Sequence, residues 1–125
     1  MTPEQFRGTL QGLADAWSKK DYERAASHFA PDVKYGDPTR YLFANRDELL
    51  AFFRNDEGYD QLTEWHHVLF DEKAQIGAVE YTYQGTYRYH GVVLIKLAGD
   101  KITHWREYQH ISPKGWREFV GATWF

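Results

Sequence analysis

Two carboxylates and one imidazole carry the chemistry this sequence offers: Asp37, Glu107 and His66. Each stands in a stretch that alternates like a β-strand, where successive side chains point to opposite faces. Val33, Tyr35 and Asp37 share one face of the first stretch, with Lys34 and Gly36 opposite. Val33 and Tyr35 are the core-like members, so Asp37 is expected to point inward. Trp105, Glu107 and Gln109 alternate with His104, Arg106, Tyr108 and His110. The charge on the second set puts Trp105 and Glu107 inside. Val79, Tyr81 and Tyr83 alternate with Glu80, Thr82 and Gln84, and the aromatic set again belongs inside. His66 and His67 are neighbours, so a regular strand turns one ring in and the other out; His66 is placed inside.

The expected interior has Trp17, Tyr35, Phe53, Tyr81, Tyr83 and Trp105 as walls around Asp37, Glu107 and His66. Aromatic walls with a few ionisable groups suit a pocket for a small apolar or aromatic molecule. Desolvation raises a carboxyl pKa, and a second carboxylate nearby raises it further. One of Asp37 and Glu107 would then act as acid and the other as base, with His66 shuttling a proton between them. Each residue also has a structural reading. Asp37 before Pro38 suits a turn, Glu107 suits an ion pair with Arg88 or Arg106, and His66 suits a hydrogen-bonded core position. Trp17 closes a helical apolar stripe, and Tyr81 and Tyr83 suit packing with a satisfied hydroxyl.

Composition narrows the function classes. A chain of 125 residues is one domain, 1–125. With 15 Lys plus Arg against 18 Asp plus Glu, the net charge is −3, so neither nucleic acid nor an anionic membrane is an expected partner. Aromatic residues make up 18% of the chain, which argues against disorder. With no cysteine, thiolate chemistry and zinc ribbons are out. The 6 histidines show no His-x-His or His-Glu-x-x-His spacing, so no metal is assigned. His67, His104 and His110 are noted only as residues of the outer face that could meet across a dimer. No glycine-rich phosphate cradle and no Gly-x-Ser-x-Gly elbow occurs, and no cofactor is expected. The first residues lack the apolar run of a signal peptide, and the longest aliphatic run is Val92–Ile95. The expected location is the cytoplasm.

The elements that must position these residues are helical first and extended later. Thr2-Pro3-Glu4-Gln5 reads as a capping box ahead of Phe6, Leu10, Leu13 and Trp17, which share one helix face. Asp21 caps a second helix through Phe29, ending before Pro31. A short strand, 32–37, is stopped by Pro38. Asn45-Arg46-Asp47-Glu48 opens a third helix that ends near Gly58. Strands are predicted over 62–71, 75–87, 90–97 and 101–111, followed by a turn at 112–115 and an aromatic tail. The fold class is α+β: three N-terminal helices packed on a curved, mostly antiparallel sheet. Gly91-Val92-Val93-Leu94-Ile95 is apolar on both faces, so a homodimer through the outer face of the sheet is expected.

This element order resembles the nuclear-transport-factor-2-like superfamily, which has a cystatin-like cone and includes the SnoaL-like proteins. Lys20-Asp21-Tyr22, His28-Phe29-Ala30-Pro31-Asp32 and Asp37-Pro38 resemble the ketosteroid isomerase stretch that ends in its general base, which implies that role for Asp37. Residues 14–22 are similar to a helix of scytalone dehydratase, whose active-site Tyr and Asp fall on Trp17 and Ser18. A histidine of the same enzyme falls on His66. Trp105-Arg106-Glu107-Tyr108 resembles a strand of limonene-epoxide hydrolase and places Glu107 on an active-site Asp. The departures are as specific. The isomerase's oxyanion Tyr falls on Leu13 and its second Asp near Val93, while the hydrolase's Arg and second Asp fall among Val79, Tyr81 and Tyr83. The resemblance implies a cofactor-independent isomerase, dehydratase or cyclase. The missing donors leave two alternatives open: a non-catalytic small-ligand binder, and a dimeric interaction module whose tail plugs the cone.

Overall fold

A computed structural model describes residues 1–125. Four helices, α1 (Pro3–Ser18), α2 (Tyr22–Ala26), α3 (Arg46–Arg54) and α4 (Trp116–Val120), accompany six strands. These are β1 (Phe29–Asp37), β2 (Tyr41–Phe43), β3 (Leu62–Asp71), β4 (Ile76–Gln84), β5 (Arg88–Ala98) and β6 (Lys101–Ile111). They form one sheet in the order β2-β1-β6-β5-β4-β3. Every pair is antiparallel except β1 with β6. The α+β class and the helix-then-sheet layout are as the sequence indicates.

Local chemistry starts each helix. The Thr2 hydroxyl accepts from the Gln5 amide at 3.1 Å, and the Gln5 side chain accepts from the Thr2 amide at 2.9 Å. Asn45 caps α3 through the Glu48 amide. The face of α1 that carries Phe6, Leu10, Leu13 and Trp17 is buried against the sheet. Phe6 stacks on Phe70 of β3, with ring centroids 4.5 Å apart. Removing these side chains from water drives the layers together.

Three features depart from the sequence reading. Phe29 opens β1 instead of closing α2, because Ile102 donates its amide to the His28 carbonyl and draws the chain into the sheet. The segment after Pro38 returns as a strand: Asp37 pairs with Tyr41, and the Arg40 amide closes the turn on the Asp37 carbonyl. The aromatic tail forms α4 and lies on the outer face of the sheet. Trp116 stacks on His66 at 4.1 Å, Phe119 on His90 at 4.5 Å, and Phe125 approaches His67 at 4.6 Å. The tail therefore covers part of the outer face and does not plug the mouth of the cone. Beside it, Leu69, Val92, Leu94 and Tyr108 stay exposed on neighbouring strands. No helix is long and apolar enough to cross a membrane.

Glycine allows a close approach at Gly91. Gly91 stands between Tyr81 and Gln109 in the ladder, and a Cβ there would meet the Tyr108 carbonyl and lie 2.8 Å from the Gln109 Cβ. Gly8, on the exposed side of α1, has open space around it. Thermal denaturation of the two alanine variants is expected to move in opposite directions. Gly91→Ala should lower stability by about 1–3 kcal/mol through overpacking, and Gly8→Ala should raise it by up to about 1 kcal/mol through helix propensity.

Candidate functional site

The concave side of the sheet, closed by α1, α2 and α3, encloses a cavity of about 240 Å³. Twenty residues line it, and all eleven apolar ones are aromatic. Its inner wall is made of buried side chains: Trp17 of α1, Phe53 of α3, Tyr35 of β1, Tyr81 of β4, and Trp105 and Glu107 of β6. The rim carries exposed polar residues, among them Arg40, Asn55, Glu57 and Thr86. The six aromatic residues expected as walls all line this cavity, Tyr83 included.

Glu107 is the ionisable group of the inner wall and is 6% exposed. Its Oε1 accepts from the Tyr35 hydroxyl at 2.9 Å and from the Trp105 indole at 2.8 Å. Its Oε2 accepts from the Tyr41 hydroxyl at 2.5 Å. No Lys or Arg pairs with it. Arg88 donates instead to Gln84 and the Pro113 carbonyl, and Arg106 lies over Tyr108. Burial pushes the Glu107 carboxyl up, and the donors from Tyr41, Trp105 and Tyr35 only partly pull it back, so it sits above the ordinary carboxylate range. Burial and the neighbouring Glu107 charge also raise the Tyr35 and Tyr41 hydroxyls, which stay protonated donors. Tyr83 is pushed up to about 12, first by burial and then by Tyr89 beside it.

Asp37 is inward and 4% exposed, as expected, but it stands beside the cavity and not in its lining. Its Oδ1 accepts from the Thr39 amide at 3.0 Å and hydroxyl at 2.9 Å, and its Oδ2 from Arg40 at 3.2 Å and Gln109 at 3.3 Å. Burial pushes this carboxyl up, but the two Thr39 bonds, Gln109 and the Arg40 charge outweigh it. Asp37 is held below its ordinary range. Gln109 links the two acids: it also donates to the Tyr41 hydroxyl at 3.4 Å and accepts from Tyr81 at 2.5 Å. The carboxylates are therefore pushed apart in pKa, and only Glu107 faces the cavity.

His66 is a correction. It lies outside the cavity, on the outer face, where its Nε2 is 2.7 Å from the Thr82 hydroxyl and its ring stacks under Trp116. It cannot shuttle a proton between Asp37 and Glu107. The cause is the phase of β3: Thr63 and Trp65 point inward, so His66 points out, and a β-bulge between Trp65 and Val68 adds one residue after it. The extra residue turns His66 and His67 to the same side, with His67 Nδ1 2.8 Å from Glu80. Trp65 takes the inward place, its indole donating to the Leu10 carbonyl at 2.8 Å. A signal for this was present: Trp65, Val68 and Phe70 break strict alternation by one step. Tyr41 and Gln109 were also missed as site residues. Tyr41 arrives only through the tight return after Pro38, and Gln109 reads as an ordinary polar strand residue.

Two polar groups of the lining have no protein partner, the Trp17 indole Nε1 and the Thr63 hydroxyl. Both atoms are themselves shut off from the cavity space, so they stand within the packed wall and not at its surface. Nowhere do three His, Asp or Glu side chains cluster with the geometry of a metal site.

A family model for the SnoaL-like domain matches residues 10–105. No curated protein sequence matches the chain. Among solved structures, an LEH-like epoxide hydrolase from M. tuberculosis is similar, with 15% identity, a TM-score of 0.73, and coverage of 87% of this chain and 84% of that one. A protein with a cystatin-like fold from Methylobium petroleophilum has 14% identity and a TM-score of 0.79, covering 93% and 82%. A protein with a ketosteroid isomerase-like fold from Catenulispora acidiphila, in complex with trimethylamine, has 17% identity and a TM-score of 0.69, covering 80% and 83%. At these identities the likeness is one of fold.

The two carboxyls give stability opposite pH dependences. The folded-state pKa of Asp37 is depressed, so its contribution is present above 3.8 and is lost as pH falls through the folded value. That of Glu107 is raised, so its contribution is present below 4.5 and is lost as pH rises through the folded value. Denaturant titrations across pH should show Asp37→Asn flattening the acid limb and Glu107→Gln flattening the decline above pH 4.5.

Proposed function

The chain belongs to the SnoaL-like domain family, and on that footing we propose that its cavity binds a small molecule with an apolar or aromatic body, with Glu107 as the acid–base group. One observation carries this reading: a buried carboxyl with a raised pKa forms part of an aromatic cavity wall. Such a group takes up and returns a proton closer to neutral pH than an exposed carboxylate does. The size of the cavity limits the ligand. At about 240 Å³ it lies below the roughly 300–1,000 Å³ of sites for drug-sized ligands, which suits a small molecule. Trimethylamine, bound by one protein of this fold, is smaller still.

The reaction class is proton transfer without a cofactor: isomerisation, dehydration or cyclisation. Glu107 exchanges the proton, and Tyr35, Tyr41 and Trp105 hold its oxygens in place. Asp37, ionised and tied to its own turn, positions Gln109 and through it Tyr41. Asp37 is thus a positioning residue, and Glu107 alone is the catalytic one.

A second reading, a binder without chemistry, draws on a different observation. Both Glu107 oxygens already accept hydrogen bonds from the protein itself. Proton exchange separates the two readings. Ring ketones such as cyclohexenone and indanone would be incubated with the protein in D₂O and followed by NMR. The enzyme reading expects deuterium at the carbon next to the carbonyl, with a loss of about 10²-fold or more in Glu107→Gln. Binding of the same ketones without exchange would favour the binder.

We assign the exposed row of Leu69, Val92, Leu94 and Tyr108 to a second copy of the chain. This apolar patch lies beside the tail on the outer face, where a twofold contact would remove it from water. Light scattering at micromolar concentration should give the mass of two chains, and Leu94→Lys with Val92→Glu should give one.

A further inference from the structure

The charge of the ligand follows from the walls of the cavity, given the reading that it is a ligand site. An aliphatic lining would suit any apolar molecule, but here no apolar lining residue is aliphatic. Aromatic faces carry the negative side of the ring quadrupole and attract cations as well as apolar groups. Trp17 meets Trp65 and Trp105 at centroid distances of 6.3 and 6.1 Å and Phe53 at 5.6 Å, and Tyr35 lies parallel to Trp105 at 5.4 Å. Three tryptophans from three different elements thus share one wall.

The charged side chains of the lining are Arg40, Asp56, Glu57 and Glu107, three acids against one base. Arg40 is already engaged, 3.2 Å from Asp37 and over the ring of Tyr89 at 5.3 Å. Asp56 is paired with Lys20 at 3.3 Å and accepts from Tyr22. Glu57 has no ion pair at the rim, and Glu107 has none at the inner wall. Its three partners are neutral donors. A buried charge is normally paired, and here no residue of the chain supplies the counter-ion.

We propose that the cavity is a receptor for a small organic cation, a substituted ammonium with an apolar body, which pairs with Glu107 inside the aromatic box. Anions are excluded by Glu107 and Glu57. A bare inorganic cation gains little, because no three carboxylate or imidazole side chains converge to hold it.

The test compares choline with its uncharged isostere 3,3-dimethyl-1-butanol, by calorimetry and by the fluorescence of the wall tryptophans. The two share shape and hydroxyl and differ in charge. Choline is expected to bind at least about tenfold more tightly than the alcohol. Glu107→Gln should bring choline down to the affinity of the alcohol while leaving the alcohol within about twofold, which also shows that the variant keeps its cavity. Glu57→Gln, at the exposed rim, should weaken choline less than threefold. Equal binding of the two probes, or tighter binding of the alcohol, overturns the cation and leaves the small-molecule reading standing. Binding of neither probe also overturns the cation, and the small-molecule reading then stands or falls with the ring ketones.

Discussion

The architecture of the inner wall depends on a carboxyl group taken out of water. An ionised side chain in an apolar interior is costly unless hydrogen bonds or a counter-charge offset the loss of hydration. At Glu107 the offset comes from three neutral donors delivered by three separate stretches of chain. Trp105 comes from the same strand two residues back, Tyr35 from the parallel neighbour β1, and Tyr41 from the short return strand β2. Each needs its strand in register, so the sheet order β2-β1-β6 and the position of Glu107 depend on one another. The aromatic character of the wall fits the same demand. Tyrosine and tryptophan bring apolar area and a polar hydrogen together, and aliphatic residues could not hold the carboxylate.

The turn that follows Pro38 links this wall to the rim. Asp37 closes the turn on Thr39 and Arg40 and keeps a charge by doing so. The same turn reverses the chain and sets Tyr41 opposite Asp37. Gln109 then spans the two acids, with one amide group touching Asp37, Tyr41 and Tyr81. Two carboxyls that might have competed for one proton are instead assigned different states. One is stabilised as an anion by its own loop, and the other is left to desolvation.

On the opposite side of the sheet, one extra residue in β3 reorganises the surface. Trp65 keeps the inward place set by Thr63, and the bulge after it turns His67 to the same outer face as His66. Three imidazole rings then form a platform on which the aromatic tail stacks. His90, fully buried there, sits between the Thr82 hydroxyl at 2.8 Å and the Lys114 carbonyl at 2.7 Å. The tail and the cavity thus occupy opposite faces of the same strands.

Much of this was legible in the residues alone, because it rests on local rules. The capping box at Thr2, the N-cap at Asn45, the apolar stripe of α1, and the bounds of β3 and β6 follow from side-chain chemistry within a few positions. Strand alternation placed Tyr35, Tyr81, Trp105 and Glu107 inside, because a regular strand has a period of two and their strands are regular there. His66 faces out because Trp65 sets the phase of β3, and the bulge that follows hides that phase by turning His67 out as well. Asp37 was placed inward correctly, but its partners lie in the turn that follows and across the sheet. Whether it lines a cavity or stands behind one is decided by how β2 folds back. The meeting of Glu107 with Tyr41, 66 positions away, is likewise a property of strand order. Sequence chemistry determined which side chains could build an aromatic, acidic interior. Only the tertiary structure decided which of the two acids faces the empty space, because that depends on contacts between segments that no local rule connects.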